Sequence, residues 1–118
     1  MKMHLYRQGK TEAFLLSKKI LIRKGFRIQI ADEKKGLISA NCPQSPSTDV
    51  LFFNILFSES AEVVTLSLIV NIFSVHQGTF IANEESERNF IKNFQESFQK
   101  KPVENAFKLS KEDYALAV

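Results

Sequence analysis

Few side chains in this sequence are of a type that does chemistry. Cys42 and His76 form the pair that suggests thiol catalysis. A thiolate nucleophile needs a base within hydrogen-bond reach. Cys42, however, ends a stretch of alternating apolar residues, where a small buried hydrophobe is the usual role of a cysteine. Asp32, Glu33 and Asp49 are the nearest approach to paired carboxylates for acid–base work. Asp32 and Glu33 stand beside Lys34 and Lys35 in a charged turn. No acid sits inside an apolar run, where burial would raise its pKa. Two histidines and one cysteine do not compose an evident metal centre, and four glycines do not compose a phosphate-cradling loop. These absences point to a non-enzymatic protein, with no metal and no cofactor expected.

The elements that would position such side chains follow from composition and period. At 118 residues, 44% hydrophobic and 25% charged, the chain fits one folded domain and not a disordered or low-complexity one. Residues 1–118 are therefore read as a single α+β domain: a polar lead-in over 1–10, a core over 11–101 and a tail over 102–118. Residues 1–35 hold ten basic and three acidic side chains, a local +7, whereas 36–83 hold three acids and no base. The basic residues concentrate on a first helix. Thr11 is placed to cap it, Ala13, Phe14, Leu16, Ile20 and Leu21 recur at helical spacing, and Gly25 ends it. Lys18, Lys19, Arg23 and Lys24 fall on its solvated side. That patch could meet phosphates of nucleic acid or an anionic membrane surface.

After Gly25 the period changes to two. Phe26, Ile28 and Ile30 read as one face of a strand, Asp32 to Gly36 as a turn, and Leu37 to Cys42 as the returning strand. Pro43 to Thr48 is loop. Val50 to Phe57 and Val63 to Phe73 read as two long strands in an antiparallel hairpin, turned by Ser58 to Glu62. Thr79 to Ala82 adds at most a short strand. Asn83 or Ser86 caps a second helix whose apolar set is Phe90, Ile91, Phe94 and Phe98, and Pro102 stops it. Ser110 to Asp113 has the form of a capping box for a short terminal helix. The expected fold is an antiparallel four-stranded sheet with two helices packed on one face, in the order α-β-β-β-β-α plus a C-terminal tail.

A helix leading into Gly25-Phe26-Arg27-Ile28, then Asp32, then Gly36-Leu37-Ile38-Ser39-Ala40 resembles a type of small bacterial envelope module. These are the helix–β-hairpins–helix lipoprotein domains of the outer-membrane assembly type, and the resemblance covers residues 12–98. It implies the same fold and a bacterial source. The lipid-carrying cysteine of those domains has no match, since Cys42 is internal. No apolar run reaches the ~18 residues of a membrane span. With no apolar leader either, a cytoplasmic location is the default expectation, and the envelope stays open if the sequence is trimmed.

The long hairpin is the strongest feature. Leu51, Phe53, Ile55 and Phe57 fill one face of its first strand, yet Val50, Phe52 and Leu56 occupy the other, joined by Val63, Ile69 and Phe73. A sheet with one wet face should alternate cleanly. The second face therefore calls for a cover: the tail through Phe107, Leu109, Tyr114 and Leu116, a second copy or another protein, or a greasy ligand between sheet and helix. The leading expectation is a protein-interaction or structural module, homo-oligomeric or bound to a partner protein, with Phe52, Leu56, Ile69 and Phe73 in contact. The alternative is phosphate or anionic-surface binding through Lys18, Lys19, Arg23 and Lys24. No small-molecule substrate is evident.

Overall fold

A computed structural model describes residues 1–6, 9–99, 107–109 and 113–117, with side chains for 1–6 and 9–97. The chain runs β1 (Lys2–Tyr6), α1 (Lys10–Arg23), β2 (Arg27–Asp32), β3 (Leu37–Pro43), β4 (Val50–Ser60), β5 (Val63–Ser74), β6 (Thr79–Ala82), α2 (Glu84–Gln99), β7 (Phe107–Leu109) and β8 (Asp113–Ala117). It is α+β, and its first six strands pair antiparallel in the spatial order β2-β3-β4-β5-β1, with β6 beside β1 on the same edge of β5.

The β4–β5 hairpin lies at the centre and its register explains the core. Leu51, Phe53, Ile55 and Phe57 pair with or neighbour Val64, Leu66, Leu68 and Val70, and all eight are buried. Ile38 and Ala40 of β3 and Met3 and Leu5 of β1 continue this inner face. Phe14 of α1 meets Phe57 at 5.5 Å between ring centroids, and Phe90 of α2 meets Phe53 at 5.1 Å. Offset and tilted ring pairs of this kind add to the area term of burial.

The end of α1 is built as the sequence predicts. Gly25 adopts φ +88°, its N–H donates to Ile22 and that of Phe26 donates to Leu21, which closes the last carbonyls of the helix. Gly36 is the tighter case. Its φ is +67°, and a Cβ there would collide with the Phe57 carbonyl, whose own N–H donates to the Gly36 carbonyl at 2.8 Å. The β2–β3 turn is thus pressed against β4.

Several expectations are corrected. The sheet has more than four strands. Residues 1–10 are no lead-in, because β1 pairs with β5 and places Met3 and Leu5 in the core. α1 starts at Lys10 with Gly9 as its N-cap, so Thr11 lies inside the helix and does not cap it. Nor do the two helices make equivalent contacts with the sheet: α1 packs against β2, β4 and α2, and α2 against β5 and α1. Short connections hold each helix near the strand it joins. The β4–β5 turn is shorter than Ser58 to Glu62. Ser60 already pairs with Val63, leaving Ala61 at φ 53° and Glu62.

The register shifts between Ile28 and Ile30. Ile28 pairs with Ala40 and Ile30 with Ser39, so the bulge carries Ile30 to the outer face, where it is exposed. Asp113 to Ala117 form a strand parallel to β1, and Phe107 to Leu109 pair with it. The free edge of β1 supplies backbone partners, which outweigh the local helix signal. Ser110 to Glu112 and Pro102 lie outside the described residues, as do the side chains of Phe98, Phe107, Leu109, Tyr114 and Leu116.

Candidate functional site: the outer face of the central hairpin

The outer face is built from alternate residues of β4 and β5. Phe52 pairs with Asn71, Asn54 with Ile69, Leu56 with Ser67, and Val50 with Phe73. The four predicted contact residues therefore lie in a zigzag, each diagonal to the next across the hairpin: Phe73, Phe52, Ile69, Leu56. Diagonal neighbours in a sheet are about 7–8 Å apart, within reach of large side chains. Leu56 is 51% exposed and Ile69 53%. Phe52 and Phe73 are half-buried, and the cause is Phe80. Its ring centroid lies 5.6 Å from that of Phe52 and 5.0 Å from that of Phe73, yet Phe80 itself remains 57% exposed.

Phe80 is the member that sequence reading missed. It joins the face only because β6 pairs with β5 and sets Phe80 opposite Phe73. Ile30 was missed because the bulge is not visible in period alone. The face is not wholly apolar. The Ser39 hydroxyl donates to Asn54 Oδ1 at 2.6 Å, and His4 Nδ1 and Thr65 Oγ1 are hydrogen-bonded at 3.0 Å. Polar pairs thus divide the apolar positions and let the face meet water.

The described tail does not lie over this face. β8 and β7 lengthen the sheet at its β1 edge. The expected space for a greasy ligand is also elsewhere. A cavity of about 340 Å³ opens at the inner side, between the end of α1, the start of α2 and the ends of β3 and β4. Phe26, Leu51, Phe53 and Phe90 form apolar walls, and Lys24 and Cys42 also line it.

Among the described residues, those considered for catalysis are not joined by a hydrogen bond or are already occupied. Cys42 is partly buried at the end of β3, where its thiol lies 3.6 Å from the Pro43 carbonyl. His76 is exposed in the turn after β5, and no hydrogen bond joins the two among the described residues. Asp32 Oδ1 accepts the Lys35 N–H at 3.0 Å, and Asp49 Oδ1 accepts that of Val75 at 3.2 Å. Both carboxylates thus organise turns. The buried acid is Glu87, which the sequence reading passed over. It accepts from the Met1 ammonium at 3.2 Å, while Val70 N–H lies 3.4 Å from its other oxygen. Its spacing to Phe90, Ile91 and Phe94 marks it as inward-facing. Among the described residues no group of three or more His, Cys, Asp or Glu gathers as a metal site, and no helix is long and apolar enough to cross a membrane.

The basic residues stay on α1 and its end. Lys19, Arg23 and Lys24 are exposed and Lys18 is half-buried. No protein-family model matches the chain, and no curated protein matches it.

Proposed function

We propose that this protein is a non-enzymatic interaction module that binds a protein through the outer face of β4 and β5, a second copy of the chain being the occupant tested first. One observation carries the reading. Leu56 and Ile69 stand about half exposed in line with the Phe52, Phe73 and Phe80 rings. Covering such side chains is favourable by roughly 25 cal/mol per Å² of apolar area removed from water. Contiguous exposed apolar surface is a mark of interaction sites. The hydrogen-bonded Ser39–Asn54 pair supports the same use, since interfaces mix apolar anchors with satisfied polar groups.

Light scattering across a concentration series tests it. We expect the wild-type chain to self-associate and Ile69→Asp to remain monomeric, with similar melting temperatures at protein concentrations where both are dissociated, because Ile69 is exposed. A wild-type chain that stays monomeric throughout, matched by the variant, removes the second copy as occupant.

A further inference from the structure

The outward side of α1 holds a surface that the sheet face does not use. Ala13, Phe14, Ser17, Ile20 and Leu21 turn inward. At about 100° per residue, the opposite stripe carries Leu15 and Ile22 two turns apart. Lys18 lies on one flank of that line, and Lys19 and Arg23 on the other. Leu15 is 56% exposed and Ile22 55%, and with these three cations they line one shallow depression. Lys24, exposed at the end of the helix, is turned about 180° from Leu15 and borders the inner cavity instead. Against these cations stands Glu12, one turn before Leu15 on the same side, and Glu96 of α2 borders Arg23 and Lys24 where the helices meet.

Single exposed aliphatic side chains are ordinary on a protein surface, but Leu15 and Ile22 share one depression framed by cations. A face that grips a nucleic-acid backbone uses cations with polar or aromatic groups beside them, and Leu and Ile add nothing to phosphate or base contact. Cations framing exposed aliphatics do match the boundary of a bilayer rich in anionic lipid. The charges reach the headgroup phosphates while the aliphatic tips enter the acyl boundary beneath them. Lysine stems suit this position, being apolar along their length and charged at the tip.

We infer that the outward stripe of α1 docks on an anionic lipid leaflet, with Lys18, Lys19 and Arg23 at the headgroups and Leu15 and Ile22 seated below. The attachment is peripheral and reversible, because the apolar wedge is two side chains wide. α1 packs on the inner side of the sheet, so its outward stripe and the outer sheet face point away from each other. One molecule can engage a leaflet and a protein together.

The sequence contains no tryptophan, so Leu15→Trp supplies a single emitter. The full chain is mixed with vesicles of phosphatidylcholine alone, or of phosphatidylcholine with phosphatidylglycerol. We expect sedimentation with the anionic vesicles only, a blue shift of the Leu15→Trp emission on binding, and weakening by salt. Binding should fall about fivefold for each charge removed by Lys18→Gln or Lys19→Gln. It should fall roughly tenfold for Leu15→Gln with Ile22→Gln, which changes no charge. Circular dichroism on each variant confirms the fold. Three outcomes overturn the inference: no binding to anionic vesicles at low salt, binding unchanged in the Leu15→Gln/Ile22→Gln variant, or retention on duplex DNA without retention on vesicles.

Discussion

The inner and outer faces of the β4–β5 hairpin are made by the same strands and both carry large apolar side chains, yet they end in different states. On the inner face every position from Leu51 to Phe57 and from Val64 to Val70 is closed off from water. On the outer face Phe52, Leu56, Ile69 and Phe73 alternate with Asn54, Ser67 and Asn71 and remain half-wet. The difference lies in the neighbours. Inner positions meet rings from α1 and α2, whereas among the described residues no helix packs over the outer positions, where Phe52 and Phe73 meet Phe80 of β6. Hydrophobic type decides which residues can form a core, and the placement of helices decides which of them do. An apolar side chain left over on the second face is then free for binding at little cost to the fold.

The sharpest way to break this comparison is to truncate two adjacent residues of β5. Leu68 is fully buried and Ile69 is 53% exposed. Leu68→Ala should cost about 2–5 kcal/mol through lost burial and the cavity left behind. Ile69→Ala should cost within about 1 kcal/mol, as exposed substitutions do. Both values come from denaturant unfolding at low protein concentration, where self-association does not contribute. Equal losses would mean that the outer face is core in all but name.

A second test sets one turn against another. Gly36 and Gly25 both have positive φ, but only Gly36 lacks room for a side chain. Gly25→Ala should cost about 1 kcal/mol, from the backbone conformation alone. Gly36→Ala should cost roughly 2–3 kcal/mol, because the added methyl also pushes β4 away at Phe57 and disturbs the inner face there. Melting temperatures of the two variants rank them. A smaller loss at Gly36 would show that the turn does not brace the hairpin.

How much of this was legible in the sequence depends on how local each determinant is. Val64, Leu66, Leu68 and Val70 announce themselves by strict alternation, and Gly25 by its place after a basic helix end. β1 was hidden because its signal is only Met3 and Leu5, and its partner residues Leu66 and Val64 lie far along the chain. The bulge before Ile30 was hidden because period two continues through it in sequence while the face changes in space. For the outer face, Phe52, Leu56, Ile69 and Phe73 could be named from alternation. Phe80 could not, because its contacts arise only once β6 has paired with β5. On α1 the cations were legible, but the exposure of Leu15 and Ile22 was not. That exposure depends on which side of the helix the sheet takes.

The smallest expected effect also has the most informative sign. Ser17 is fully buried on the inward side of α1, and its hydroxyl has no hydrogen-bond partner among the described residues. Ser39 on the outer side has one, Asn54 Oδ1 at 2.6 Å. A buried hydroxyl without a partner is a burden to the folded state, since its bonds to water are given up and not replaced. Replacing it by a methyl removes that burden, and alanine also has the better helix propensity. Ser17→Ala should therefore be neutral or stabilising, by up to about 1 kcal/mol. Ser39→Ala should destabilise by about 0.5–1 kcal/mol, since it removes a made hydrogen bond and leaves Asn54 to find water. Opposite signs from the same substitution would tie stability on the inner side to apolar packing and on the outer side to polar pairing. A loss at Ser17 as large as that at Ser39 would break that division.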